Sequence, residues 1–271
     1  MSLAFPDIGL GTYRMTDRDD CVSAVETAID AGYRQIDTAQ MYDNESFVGE
    51  GLENAFADVP RDDVVVATKL DTDNTGYDDA VTTARESRER LGLAVVDLLY
   101  VHWPTGTYAP GETLPALDDL VDDGVVREIG LSNFLPAQLE EAIDRLDHDL
   151  FAHQIEMHPL LQQRELHDLA VEHDHYLVAY CPIARNRVAD VPVLEDVADA
   201  HDATPAQVSL AWLGAKENVV PIPKAASPDH IRENLAAMEL DLSDDEVARI
   251  DALADEREER IVDFPSAPWN Q

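Results

Sequence analysis

Short apolar runs rich in β-branched residues alternate with amphipathic stretches along almost the whole chain. The strand-like runs fall at 33–38, 64–70, 96–102, 128–131, 153–157, 176–180 and 219–222. A shorter run at 8–13 precedes them and brings the strands to eight. Between them, helical spacing marks 20–31, 45–57, 78–91, 136–146 and 164–173. Punctuation agrees: Asn44 is an N-cap candidate with Glu45 behind it, Gly32 and Gly92 stop helices, and Ser227-Pro228 opens another. Strands separated by helices imply a parallel sheet covered by helices. Eight such units over about 250 residues predict an α/β chain folded as a (β/α)8 barrel, one domain across 1–271. An open doubly wound sheet is the runner-up, but no Gly-x-Gly-x-x-Gly follows the first strand.

Composition narrows the class. With 45% apolar residues the chain can bury a large core, which excludes disorder. The opening Met-Ser-Leu-Ala-Phe-Pro has neither a basic start nor a long apolar stretch, so no signal peptide is read. No run reaches the roughly 18 apolar residues of a membrane helix, and a soluble cytoplasmic protein is expected. Cys21 and Cys181 are read as two reduced thiols.

Charge changes the picture further. Asp plus Glu number 56 against 19 Lys plus Arg, a net charge of −37 that repels nucleic acid and anionic membrane. Lysine is confined to Lys69, Lys216 and Lys224. At molar salt the screening length falls to roughly 3 Å, so such self-repulsion is tolerable there. The acidity runs through helix after helix, which fits adaptation to a salt-rich cytoplasm better than one acidic docking surface.

In a barrel of this kind, function belongs at the C-terminal strand ends. Those ends carry Asp37 and Thr38 with Tyr42 just beyond, then Lys69, His102 with Trp103, Ser132-Asn133, Gln154 and Glu156, and Tyr180. A lysine ending an apolar strand needs a partner, which Asp37 supplies. A free tyrosine titrates near pH 10, too high for a good donor at neutral pH; an adjacent ammonium, Lys69, is expected to lower it. His102 would hydrogen-bond a carbonyl oxygen. The set suits hydride addition to a carbonyl with protonation of its oxygen, and it requires a nicotinamide cofactor for the hydride.

At these residues the chain resembles the aldo-keto reductase family. Arg34-Gln-Ile-Asp-Thr-Ala-Gln-Met-Tyr-Asp-Asn-Glu45, Thr68-Lys69-Leu70 and Val101-His102-Trp103-Pro104 are similar to three family signatures. Gly130-Leu-Ser-Asn-Phe134, His153-Gln-Ile-Glu-Met-His-Pro159, Ala179-Tyr-Cys-Pro182 and Ile222-Pro-Lys224 extend the likeness over nearly the whole chain. The resemblance implies a catalytic tetrad of Asp37, Tyr42, Lys69 and His102. It also implies Ser132, Asn133 and Gln154 on the carboxamide and Tyr180 stacked on the nicotinamide, with Gly11, Thr12, Pro182 and Ile183 beside the cofactor. The short chain and brief loop at 105–111 resemble prokaryotic members of the 2,5-diketo-D-gluconate and methylglyoxal reductase type, in which Tyr13, Trp103 and Trp269 would line the substrate pocket.

One departure bears on the cofactor. Members that prefer NADPH carry Lys-Ser and, five residues after the Ser, an Arg; here Lys224 is followed by Ala225, and His230 stands for the Arg. Glu233 and Asn234 match the family's adenine contacts, and a helix start at Ser227 still favours an anion. Loss of an always-charged bidentate donor implies NADPH with appreciable NADH use, dependent on pH through His230.

Blander roles are weighed beside these. His173-Asp-His175 has the spacing of a metal pair, but it precedes a strand at the stability face and is read as solvated or capping histidines, with no metal site. His158 and Glu156 are read as structural residues near the mouth, Cys181 as packing, and 85–90 as a solvated helix face. Two rival functions remain: a Schiff-base aldolase using Lys69, and a non-catalytic nicotinamide-binding subunit of the same fold. A monomer acting on a small-molecule carbonyl is the simplest expectation.

Overall fold

The computed structural model describes residues 5–256 and 258–271. Residues 1–4, on which the absence of a leader was read, lie outside them. Eight parallel strands pair in chain order: β1 (Leu10–Gly11), β2 (Gln35–Asp37), β3 (Val65–Leu70), β4 (Val96–Val101), β5 (Val126–Ser132), β6 (Leu150–Glu156), β7 (Tyr176–Tyr180) and β8 (Val219–Pro221). The ring then closes. Gly9 N donates to Pro221 O at 3.0 Å and Gly11 N to Pro223 O at 3.1 Å, and a parallel bridge joins Gly11 to Lys224. Closure removes the sheet edges, and the chain is a (β/α)8 barrel.

Several strands differ from their apolar runs. β1 keeps only two residues because the Thr12 carbonyl is taken by a side chain, Asn44 Nδ2, at 3.0 Å. β5 starts earlier than its apolar run, at Val126, which pairs with Val96; Arg127 and Glu128 interrupt the hydrophobic pattern there.

The helices are α1 (Arg18–Ala31), α2 (Glu45–Ala55), α3 (Tyr77–Arg90), α4 (Pro110–Asp122), α5 (Pro136–Arg145), α6 (Arg164–Glu172), α7 (Pro192–Ala200), α8 (Pro205–Gly214), α9 (Pro228–Ala236), α10 (Asp244–Asp251) and α11 (Leu253–Glu256). Helix α1 shows why they form: Cys21, Ala24, Val25, Ala28 and Ile29 make one buried stripe. Asp17 caps it by accepting from Asp20 N, and Gly32 ends it at φ 119°. Helix α8 is buried almost all round, from Val208 to Leu213, because it packs against α7, α9 and β8.

Inside the barrel, Tyr100 on β4 lies directly against Gly130 on β5. A Cβ at Gly130 would come within 2.3 Å of the ring, so only glycine fits. At the opposite end from the mouth, Phe5, Phe151 and Tyr176 cluster at centroid distances of 4.9–5.3 Å and fill the floor.

Three expectations are corrected. Asn44 sits at the N-cap position of α2, but its side chain does not cap; it turns inward to Thr38 Oγ1, Thr12 O and Met15 O. Arg90 is not merely solvated, since its Nε meets the buried Glu45 carboxylate at 2.7 Å. His175 is neither solvated nor a cap: it is 1% exposed and both ring nitrogens lack partners. Burial lowers it to about 4 and its neighbour His153 to about 3, so both are neutral in the fold.

Candidate active site

The end of β2 and the short turn behind it set the first half of the site. Asp37 is the last residue of β2, and Tyr42 ends a single 3-10 turn, Gln40–Tyr42. That turn is fastened by Gln40, whose Oε1 accepts from Asp71 N at 2.9 Å and Asn74 Nδ2 at 3.0 Å while its Nε2 reaches Ser87 Oγ at 3.1 Å. Asn44 fastens the other side, tying Thr38 to the loop after β1. Tyr42 is therefore presented by two anchored loops.

Lys69, on β3, is fully buried. Its Nζ donates to Asp37 Oδ1 at 2.5 Å and to Thr38 O at 2.7 Å, and it lies 5.1 Å from the centre of the Tyr42 ring. Burial pulls the Lys69 ammonium down, and the Asp37 carboxylate opposes that pull. Next to it, Glu45 accepts from Thr68 Oγ1 at 2.5 Å and adds a second buried negative charge near the ammonium.

His102 follows β4, with its ring 5.7 Å from that of Tyr42 at 76°. Burial pushes the imidazole well below its ordinary value and Lys69 adds to the effect, so His102 is neutral. A neutral imidazole carries one N–H that can donate to a carbonyl oxygen. For Tyr42 the expectation from sequence is reversed: burial holds the phenol well above its ordinary value, and Asp37 pushes it further. Desolvation of a phenolate outweighs Lys69, whose charge Asp37 largely cancels. Tyr42 thus keeps its proton. Among the described residues its hydroxyl has no hydrogen-bond partner, which leaves it open to a substrate oxygen.

The residues expected to hold a cofactor form two groups. Near the tetrad, Asn133 Nδ2 donates to His102 O at 3.0 Å and Ser132 Oγ at 2.9 Å, and Tyr180 OH donates to Asn133 Oδ1 at 2.7 Å. Gln154 gives its Nε2 to Asp37 Oδ2 at 2.8 Å. These buried amides and a hydroxyl offer both donors and acceptors, which fits a carboxamide. Pro182 is less available, because its carbonyl accepts from Ser209 Oγ at 2.6 Å, and Ile183 packs on the core.

The second group lies around the β8–β1 junction. Gly11 and Thr12 are buried there, with exposed Lys224 bridged to Gly11 and Ala225 buried beside it. Helix α9 begins at the Ser227 cap, exposes His230 and Glu233, and buries Asn234 on the same face. A helix start with an adjacent lysine fits a phosphate. Asp229 in the first turn subtracts from that attraction.

The rings expected to line a substrate pocket come together. The Tyr13 ring is 5.2 Å from Tyr42, Trp103 stacks toward His102 at 6.3 Å, and Trp269 comes within 5.7 Å of Trp103. Phe264, 4.9 Å from Trp103, joins these rings. It sits in an irregular tail with no periodicity to mark it.

A closed parallel barrel with a buried carboxylate–ammonium pair, a protonated tyrosine and a neutral histidine at its C-terminal mouth defines a barrel enzyme built for acid–base work. Residues 7–255 match the Aldo/keto reductase family, and the chain belongs to that family and is an oxidoreductase. It is 36% identical over 259 residues to 9,11-endoperoxide prostaglandin H2 reductase of Trypanosoma cruzi (strain CL Brener), covering 94% of this chain and 90% of that protein. Methylglyoxal reductase DkgB of Escherichia coli O157:H7 is 37% identical over 254 residues, 93% and 94% of the two chains. The structure of a Bombyx mori aldo-keto reductase in complex with NADP superposes with a TM-score of 0.88 at 29% identity, covering 96% of this chain and 92% of the other.

Proposed function

We propose that this chain reduces small aldehydes and ketones, such as methylglyoxal or 2,5-diketo-D-gluconate, to alcohols, preferring NADPH and also using NADH. The observation that carries this reading is the buried Lys69–Asp37 pair set against the rings of Tyr42 and His102. When bound, the nicotinamide supplies the hydride.

His102 donates its N–H to the substrate carbonyl and fixes its orientation, while Trp103 excludes water from one side. Tyr42 then gives its proton to the carbonyl oxygen as charge develops there. The phenolate left behind faces the Lys69 ammonium, which Asp37 and Thr38 hold in place. Ser132, Asn133 and the free Oε1 of Gln154 would hold the carboxamide, Tyr180 would lie on the ring, and Lys224 with the start of α9 would take the phosphate. Lys69 directs two of its protons to Asp37 and Thr38, which suits a held ammonium and disfavours an amine nucleophile for Schiff-base chemistry.

The setting we propose is the cytoplasm of a salt-adapted cell, with the enzyme acting as a monomer. The acidic composition supports it, and no helix among the described residues is long and apolar enough to cross a membrane.

The test follows NADPH absorbance with methylglyoxal in molar KCl, with Tyr42→Phe in parallel. The expected result is turnover by the wild type and a loss of roughly 10²- to 10⁴-fold in kcat for the variant, at unchanged NADPH affinity. A wild type that binds no nicotinamide would sink the reading.

A further inference from the structure

The tail that brings Phe264 and Trp269 to the mouth packs on the core through Ile261, and Ala267 near its end is buried. Arg260 and Trp269 also border a cleft of about 400 Å³, lined by Asn133, Ile155 and Glu156 among others. Besides that packing, a carboxylate ties the tail down. Glu156, the last residue of β6, is fully buried and accepts from Ile261 N at 2.5 Å and Val262 N at 2.8 Å. His158 Nε2 lies 3.0 Å from the same carboxylate. Just before this clasp, Glu259 N donates to Leu160 O at 2.7 Å. Just after it come Phe264 against Trp103 and, further on, Trp269 with Arg260 3.9 Å above its ring.

A buried carboxylate is costly unless its lone pairs are filled. Plain packing at the end of β6 needs no charge at all. Two consecutive backbone N–H groups aimed at one carboxylate make a charge-assisted clasp, which a neutral amide, with a donor in place of one oxygen, cannot reproduce.

We propose that Glu156 is a positioning residue for substrate selection: by clasping the amides of Ile261 and Val262 it sets Phe264 and Trp269 as the outer wall facing Trp103. This rests on the carbonyl-reduction reading for its kinetic consequence, but the clasp itself does not. A bulky aromatic aldehyde depends on that wall; methylglyoxal, which reaches only the tetrad, does not.

The experiment compares wild type, Glu156→Gln, Val262→Pro and the double variant. Val262→Pro removes one donor while leaving the Glu156–His158 pair intact, so it carries the test if Glu156→Gln does not fold. Amide hydrogen exchange, read without substrate, should show protection at 261 falling in both single variants, and at 262 in Glu156→Gln, by about tenfold or more. The KM for 4-nitrobenzaldehyde should rise about tenfold, while kcat/KM for methylglyoxal stays within about twofold. The double variant should be no worse than the worse single, because both cut the same link. Retained protection in Glu156→Gln, an equal KM rise for both aldehydes, or multiplying effects in the double variant would overturn the proposal. If the wild type reduces neither aldehyde, the reduction reading fails, and exchange still decides whether the clasp exists.

Discussion

Gln154 Nε2 donates to Asp37 Oδ2 at 2.8 Å from the far side of the barrel mouth, while Lys69 occupies Oδ1 of the same carboxylate. Asp37 therefore has both oxygens filled, and one buried charge joins the proton-donating half of the site to the half assigned to the carboxamide. Gln154 keeps Oε1 and its second Nε2 proton for other partners. This sharing explains how a carboxylate and an ammonium, both with almost no solvent, can persist beneath an apolar mouth.

Breaking that pair from the cationic side is expected to be destructive. Lys69→Met leaves Asp37 charged, buried and held by Gln154 alone, at a cost of about 3–5 kcal/mol. Urea unfolding in molar KCl measures it. Tyr42→Phe, whose lost hydroxyl has no partner among the described residues, should stay within about 1 kcal/mol of wild type. Equal stability of Lys69→Met and wild type would overturn the argument that Lys69 compensates the buried Asp37.

The buried histidines make stability depend on acid. His153 and His175 stay neutral in the fold down to about 3 and about 4, whereas in the unfolded chain they take protons below about 6.5. The unfolded state thus binds more protons as pH falls, so their contribution is intact above 6.5 and is lost progressively toward those folded values. At pH 5 each costs about 2 kcal/mol relative to pH 7.5. His175→Leu should flatten the fall in melting temperature between pH 7.5 and 5, and should not destabilise at neutral pH, because both ring nitrogens lack partners there.

With a net charge of −37, melting temperature should rise steeply from 0.1 M to 3 M KCl, as screening shortens from about 10 Å to 3 Å or less. Differential scanning calorimetry reads this directly. A flat response would remove the salt-rich setting from the proposal.

Cofactor choice is testable at one residue. His230→Arg restores an always-charged donor on the exposed first turn of α9, and should lower the KM for NADPH by about 10- to 100-fold with NADH little changed. An unaltered NADPH/NADH ratio would place the 2′-phosphate away from α9.

Much of this site was legible because strand ends in a parallel barrel converge wherever they lie in the chain. Asp37, Lys69, His102 and Ser132 lie at or beside the ends of apolar runs, and Gln154 lies two residues before the end of β6, so their register points them to one mouth. Tyr13, Trp103 and Trp269 also meet as expected. The side-chain anchors were not legible. Gln40, Asn44 and Glu156 look like ordinary polar residues near a turn, a cap and a strand end, and nothing local says that they bind Asp71, Met15 or Ile261.

The amino-acid sequence alone determined the alternation of strands and helices, and hence the barrel, because hydrophobic period is a property of neighbours along the chain. It determined which titratable groups share the mouth for the same reason. Only the tertiary structure decided their protonation: burial raises Tyr42 and lowers His102. It also left His175 buried, turned Asn44 inward, brought Arg90 to Glu45 and drew the tail onto Glu156. These outcomes depend on solvent exclusion and on contacts between residues as far apart as 156 and 262, and neither is written into any local pattern.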